Sequence, residues 1–262
     1  MVDRPLLQYV VEEAVASGIE QIILITAQGK EALIDHFDRA FELERLLEQK
    51  GHLEQLAEVR RVSELAKVFC VRQGQQLGLG HAVLMAKEFV GEEPFAVLLP
   101  DDIIEARVPL TKQLIEVFHR YGSSVIAVER VERERIKSYG IIDPGYPEGR
   151  AYPVLNIIEK PEPEEAPSNL GVVGRYILTP EIFEMLEHTP PGKGGEIQLT
   201  DALKNLLREQ AIYGYEFEGT RYDAGTPLGF LKASVAFALH HPQVGPQLRA
   251  YLENLLRESV RA

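Results

Sequence analysis

The chain has 262 residues, 28 of them basic and 40 acidic, for a net charge of −12. That balance excludes broad binding to nucleic acid or an anionic membrane, which needs an extended basic surface, and no apolar run approaches the roughly 20 residues of a membrane span. Cys70 is the only cysteine, so no intrachain disulfide can form, and a reducing cytoplasm is the expected location.

In chain order, Leu6, Leu7, Tyr9, Val10, Val11 and Ala14 crowd one side at helical spacing, predicting a helix over 5–17 that stops at Gly18. "EQIILIT" predicts a strand buried on both faces. Residues 30–67 read as helical and charged, with solvated faces over 42–61. "KVFCVRQ" is then a strand with Cys70 in the core, "GQQLGLG" a loop and "HAVLMAKEF" a helix. "PFAVLLPDD" is an apolar strand ending in carboxylates, followed by a helix over 110–121 and the strand "SSVIAVERV". This alternation predicts a mainly parallel sheet covered on both sides. Beyond it, Pro/Gly turns between short strands predict antiparallel hairpins over 138–180. Helices start near Pro180, Ile197 and Thr226, and an amphipathic one spans 246–259. The reading is a single α/β domain over 1–262.

Open parallel sheets bind ligands beyond the carboxyl ends of their strands, and three stretches fall there. In "RQGQQLGLGHA", Gly74, Gly78 and Gly80 let backbone approach a base or phosphate closely, and the Gln73 amide can pair with a nucleobase edge. The same spacing also suits a plain strand-to-helix turn. It is not a dinucleotide fingerprint, because Val83 stands where the last glycine belongs. In "LLPDDI", Asp101 and Asp102 suit a hard cation with phosphate co-ligands, or equally a turn; Asp223 in "RYDAGT" is the candidate partner carboxylate. In "NIIEKPEP", Lys160 can meet a phosphate as a point charge and Glu159 can accept from sugar hydroxyls, or the two form a surface ion pair. His81 reads as a cap-region residue and His240–His241 as a helix terminus; no spaced metal-binding Cys/His cluster exists.

The strings "VDRPLLQYVVEEAVASGI", "VRQGQQLGLGHAVL", "LLPDDI", "YGIID", "IIEKP", "APSNLGVVGRYIL", "GGEIQLTDAL" and "YDAGTPLGF" occur in that order. Together they resemble the bacterial UTP–glucose-1-phosphate uridylyltransferase (UDP-glucose pyrophosphorylase) family of the sugar-nucleotidyltransferase superfamily, essentially end to end. The resemblance implies a Rossmann-like mixed, mainly parallel sheet of the nucleotide-diphospho-sugar transferase type, with a small antiparallel sugar-binding insertion. It implies that Gln73 and Gly78 contact uracil, that Asp101 and Asp223 hold Mg2+ with Asp102 as a supporting acid, and that Gly140, Glu159 and the backbone near Val172 bind glucose. Lys160 then grips the sugar phosphate; Asp101, Lys160 and Asp223 are the catalytic set, and UTP and glucose 1-phosphate the partners. A homo-oligomer, dimer or tetramer, is expected from the apolar face of the last helix. The family also carries a first strand and a glycine-rich loop of the type GxGTR…PKEMLP ahead of "VDRP". This sequence holds neither, so little or no activity is expected of it, since losing even one donor to the reacting phosphates costs about 10²–10³ in rate. The alternatives are a non-catalytic sugar-nucleotide-binding module and a thymidylyltransferase of the same superfamily.

Overall fold

The computed structural model describes residues 1–259. It opens on α1 (Leu6–Ala16), which buries Val10, Val11 and Ala14 on one side, as their spacing predicts. Gly18 ends it at φ +93°, with the Ile19 N–H donating back to the Ala14 carbonyl. After β1 (Gln21–Thr26), the charged stretch divides into α2 (Glu31–Asp35), α3 (Phe41–Gln49) and α4 (Leu53–Ser63). β2 (Lys67–Arg72) then pairs parallel with β1, Gln21 opposite Lys67 and Thr26 opposite Arg72.

The helix predicted after the glycine loop is two short ones, α5 (Leu79–Leu84) and α6 (Lys87–Val90). Next come β3 (Phe95–Leu98), β4 (Asp102–Glu105), α7 (Leu110–Tyr121), β5 (Val125–Arg130) and, after a 3-10 turn, β6 (Gly140–Pro144). The chain continues through β7 (Ala151–Glu159), β8 (Leu170–Leu178), α8 (Ile182–His188), α9 (Leu199–Leu206), β9 (Tyr213–Glu216) and β10 (Thr220–Asp223). It closes with α10 (Pro227–His240) and α11 (Gly245–Ser259). Thr226 caps α10, its hydroxyl accepting from the Gly229 N–H, with Pro227 at the first helical position.

The main sheet has the order β3-β8-β5-β9-β7-β6. β5 and β9 pair in parallel, and β8 lies antiparallel between β3 and β5, so β3, β5 and β9 all run the same way. The predicted antiparallel hairpin, β6 with β7, joins this sheet through β9, and β6 also pairs back onto β8, Ile141 opposite Gly171. β5 shows why the core has two sides. Ile126 and Val128 pack with Leu186 and Leu203 of α8 and α9, whereas Val125 and Ala127 face Leu110 and Leu114 of α7. Strand residues alternate faces, and here both faces are covered.

The β1–β2 pair departs from expectation. Its apolar run from Ile22 to Ile25 is only half-buried, and Phe69 and Cys70 of β2 are exposed. The strand reading puts Ile22 to Ile25 and Cys70 inside. The physical reason is that β1 pairs with β2 alone among the described residues, while β3 pairs only with β8. Between the free edges of β1 and β3 lies a cavity of about 1210 Å3, walled by α1, β1, α5 and β3.

Candidate active site

Asp101 stands in the turn between β3 and β4, and Asp102 is the first residue of β4 rather than part of the β3 tip. β4 pairs antiparallel with β10, which sets Asp223 opposite Asp102. The Ala224 N–H donates to the Asp101 carbonyl at 2.8 Å, fastening the two turns together. Gly225 completes the arrangement: a Cβ built there would lie 3.1 Å from Asp101 Oδ2 and 3.2 Å from Asp223 Oδ1. The two carboxylates therefore face one small space kept open by a residue without a side chain. Burial, then the charges of Asp102 and Asp223, push the Asp101 carboxyl above its usual range.

This donor set fits Mg2+. The ion takes oxygen ligands and commonly uses one or two carboxylates, completing its shell with phosphates and water. A cation beside Asp101 would offset the cost of keeping its carboxylate ionised next to other carboxylates. Among the described residues no group of three or more His, Cys, Asp or Glu side chains is placed to hold a metal.

Asp102 plays a different part. It is 4% exposed, its Oδ2 accepts from the Gly174 N–H at 2.7 Å, and its Oδ1 is paired with Arg221 Nε. Both of its carboxylate oxygens accept within the protein, from Gly174 and Arg221, whereas Asp101 and Asp223 face the space beside Gly225. Gly174 is required here, because a Cβ would fall 2.5 Å from Asp102 Oδ2 and 2.6 Å from Leu99 Cβ.

The second group of residues forms at the β6–β7 hairpin. Register places Gly140 directly opposite Glu159. A Cβ on Gly140 would lie 3.3 Å from Glu159 Oε2 and 3.2 Å from the Thr200 hydroxyl of α9. Lys160 follows Glu159 in a left-handed conformation, φ +46°, rare for a residue with a side chain. Its N–H is held by the Tyr139 carbonyl at 3.0 Å, and its Nζ lies 3.2 Å from Glu159 Oε1. Val172 lies in the middle of β8, paired with Val128. The Tyr176 hydroxyl, buried on the same strand, is pushed up by burial and then by the charges of Asp102 and Glu159.

The third group is the glycine loop. Gly78 takes φ +96°, open to glycine, and a Cβ there would meet Glu196 Cβ at 2.7 Å. The loop is stitched to the segment before α9: the Ile197 N–H donates to the Leu77 carbonyl, and the Gly80 N–H donates to the Ile197 carbonyl. Gln73 Nε2 lies 2.8 Å from His81 Nδ1 and 3.3 Å from the Gly78 carbonyl, so its amide is oriented from within the loop.

These contacts unite the predicted residues. Gly78 lies against Ile197, whose segment leads to Thr200 beside Gly140; Gly140 pairs with Glu159, and the Tyr139 carbonyl accepts from the Lys160 N–H. Tyr139 in turn receives Arg221, which holds Asp102 beside Asp101. The reading of single strings missed Arg221, Thr200, Tyr139 and Arg175. One of them left a signal: Arg221 stands two residues before Asp223 on a strand, hence on the same face.

The chain is similar to known proteins along most of its length. Residues 1–238 match the nucleotidyl transferase family. A UTP–glucose-1-phosphate uridylyltransferase from Staphylococcus epidermidis is 49% identical over 255 residues, covering 97% of this chain and 88% of the relative. A UTP-bound UGPase from Acinetobacter baumannii superposes with a TM-score of 0.90 at 43% identity, over 97% of this chain and 89% of the other. A UDP-glucose pyrophosphorylase complexed with UDP-glucose superposes at 0.82 with 40% identity, over 92% of this chain and 89% of its own. The chain belongs to the nucleotidyl transferase family, in its UTP–glucose-1-phosphate uridylyltransferase branch.

Proposed function

We propose that the chain transfers a uridylyl group from UTP to glucose 1-phosphate, giving UDP-glucose and pyrophosphate. The observation that carries this reading is the pair Asp101 and Asp223 converging beside Gly225, joined through Arg221 and Tyr139 to the Glu159–Lys160 hairpin. A binding module has no need of two acids aimed at one point. Gln73 and Gly78 hold the uracil. Gly140, Glu159 and the Val172 backbone hold the glucose, Glu159 accepting from sugar hydroxyls.

In the reaction a phosphate oxygen of glucose 1-phosphate attacks the α-phosphorus of UTP. The bond from that phosphorus to the bridging oxygen breaks, and pyrophosphate leaves with the electron pair. No protein nucleophile takes part, so the residues act by positioning and by offsetting charge. Lys160 brings the attacking phosphate to the nucleotide and neutralises part of its charge. Asp101 and Asp223 hold Mg2+, which, when bound, offsets the charge of the phosphates. That local positive charge is what lets a protein of net charge −12 accept two anionic substrates.

The test is pyrophosphate release with UTP, glucose 1-phosphate and Mg2+, alongside calorimetric titration of UDP-glucose. Expected is UDP-glucose binding, with any pyrophosphate release depending on both substrates and favouring UTP over dTTP. Absence of both binding and release overturns the reading, and binding without release under any condition points to a non-catalytic module. The exposed Tyr251, Leu255 and Leu256 of α11 support the companion reading of a homo-oligomer.

A further inference from the structure

The two carboxylates that converge beside Gly225 sit on separate turns, and neither turn is held by its own residues alone. Asp102, which immediately follows Asp101, is gripped at every oxygen. Arg221 Nε pairs with Oδ1, the Gly174 N–H donates to Oδ2 at 2.7 Å, and Arg175 Nη2 donates to the main-chain carbonyl at 2.8 Å. Arg175, 1% exposed, also donates through Nη1 to the Leu99 carbonyl at 3.0 Å, so it braces both ends of the turn that carries Asp101. Its own charge is met by Glu13 of α1 at 2.8 Å.

Arg221 works from the other side. It precedes Asp223 by two residues on β10, and its side chain is only 8% exposed. Besides Asp102 it donates from Nη1 to Glu129 Oε1 at 2.7 Å and to the Tyr139 hydroxyl at 3.1 Å. The guanidinium also lies over the Tyr139 ring, 5.3 Å from its centre. One rigid fork thus joins the strand bearing Asp223, the residue beside Asp101, and the residue that precedes Gly140. A lysine at this position has the charge without the fork.

We propose that Arg221, through its bridge to Asp102, is the positioning residue that holds Asp101 and Asp223 convergent for the cation. The proposal rests on the reading of those two acids as the metal pair. Buried ion pairs add little to net stability against well-packed apolar residues, and a buried pair seated between two ligand-bearing turns has its use in geometry. Groups hydrogen-bonded to a ligand itself typically govern about 10–100-fold in metal affinity; Arg221 acts one residue further out, through Asp102, so its effect is expected toward or below the low end of that range.

The experiment titrates Mn2+ against the intact chain in the presence of UTP, following the free-ion electron paramagnetic resonance signal. The variants are Arg221→Met, Arg221→Lys, the double variant Asp101→Asn/Asp223→Asn, and Arg130→Met. Arg130 makes a comparable pair with Glu216 at 2.8 Å, away from the metal acids. Arg221→Met is expected to weaken Mn2+ binding by up to about tenfold, and Arg221→Lys, which retains the charge, to weaken it by less. Arg130→Met is expected to bind Mn2+ like the parent chain, whatever its melting temperature. Both Arg221 variants, folded by circular dichroism and binding Mn2+ like the parent, overturn the positioning role while the metal pair stands. If Arg221→Met does not fold, Arg221→Lys carries the test. If the double variant also binds like the parent, the metal pair itself is wrong and the positioning role falls with it.

Discussion

The strands "IILI" in β1 and "VIAV" in β5 are near-equivalent apolar runs, yet the fold treats them differently. Val125, Ile126, Ala127 and Val128 are fully buried, between α7 on one face and α8–α9 on the other. Ile22 to Ile25 are half-buried, and Ile23 borders the cavity between β1 and β3. An apolar run is stabilised only by the layers that cover it, and those layers come from distant parts of the chain.

The largest effect that can break this comparison is in stability. Ile126→Ala removes a side chain closed in on all sides, and a loss of about 2–5 kcal/mol is expected in denaturant unfolding. Ile23→Ala, at the cavity wall, is expected to cost about 1–2 kcal/mol, because part of its surface is already outside the packed interior. Equal losses would show that the two regions are packed alike.

A smaller effect separates the regions by pH. Glu44 lies in the α3–α4 part of the chain, where Arg39 and Arg60 reach its carboxylate at 2.6 and 3.0 Å. The Arg39 guanidinium holds that carboxyl down at about 2, against 4.5 for an ordinary glutamate. Folding therefore gains from the ionised form at neutral pH. The gain is fully present above the unfolded value and is lost as pH falls through about 2. Glu44→Gln is expected to be less stable than the parent at neutral pH, the gap closing as the solution is acidified. A gap that stays constant with pH would remove charge as the cause.

The smallest effect is chemical. Cys70 on β2 is exposed, so the folded chain is expected to react with a thiol reagent without unfolding. Burial of part of the side chain, then the charge of Asp38, pushes its thiol up. Less thiolate is present at neutral pH, so the reaction is expected to be slower than that of a free cysteine and to accelerate as pH rises. Complete protection until unfolding would return Cys70 to the core.

Much of the local structure was legible because it is a matter of neighbours in the chain. The helix over Leu110–Tyr121, its stop at Gly122, and the Thr226–Pro227 start of α10 follow from periodicity, left-handed glycine and capping. The candidate site residues were legible as strings, since each is short and set off by glycine or proline. The charged stretch over 42–61 was read as solvated faces, and Glu44 corrects it: at 3% exposure it is the buried anchor of two arginines. Periodicity cannot show this, because Arg60 comes from the next helix.

By itself the sequence determined the order of helices and strands, the family, and the residue types at the site: two acids, a lysine, and glycines where backbone must come close. Only the tertiary structure decided which of those residues meet. Asp101 and Asp223 are far apart in the chain and become neighbours through the antiparallel register of β4 and β10. The same register turns Asp102 and Arg221 into a buried pair and so separates Asp102 from the space that Asp101 and Asp223 face. Hydrogen-bond registry between strands acts over any length of chain, whereas propensity, spacing and capping act over a few residues.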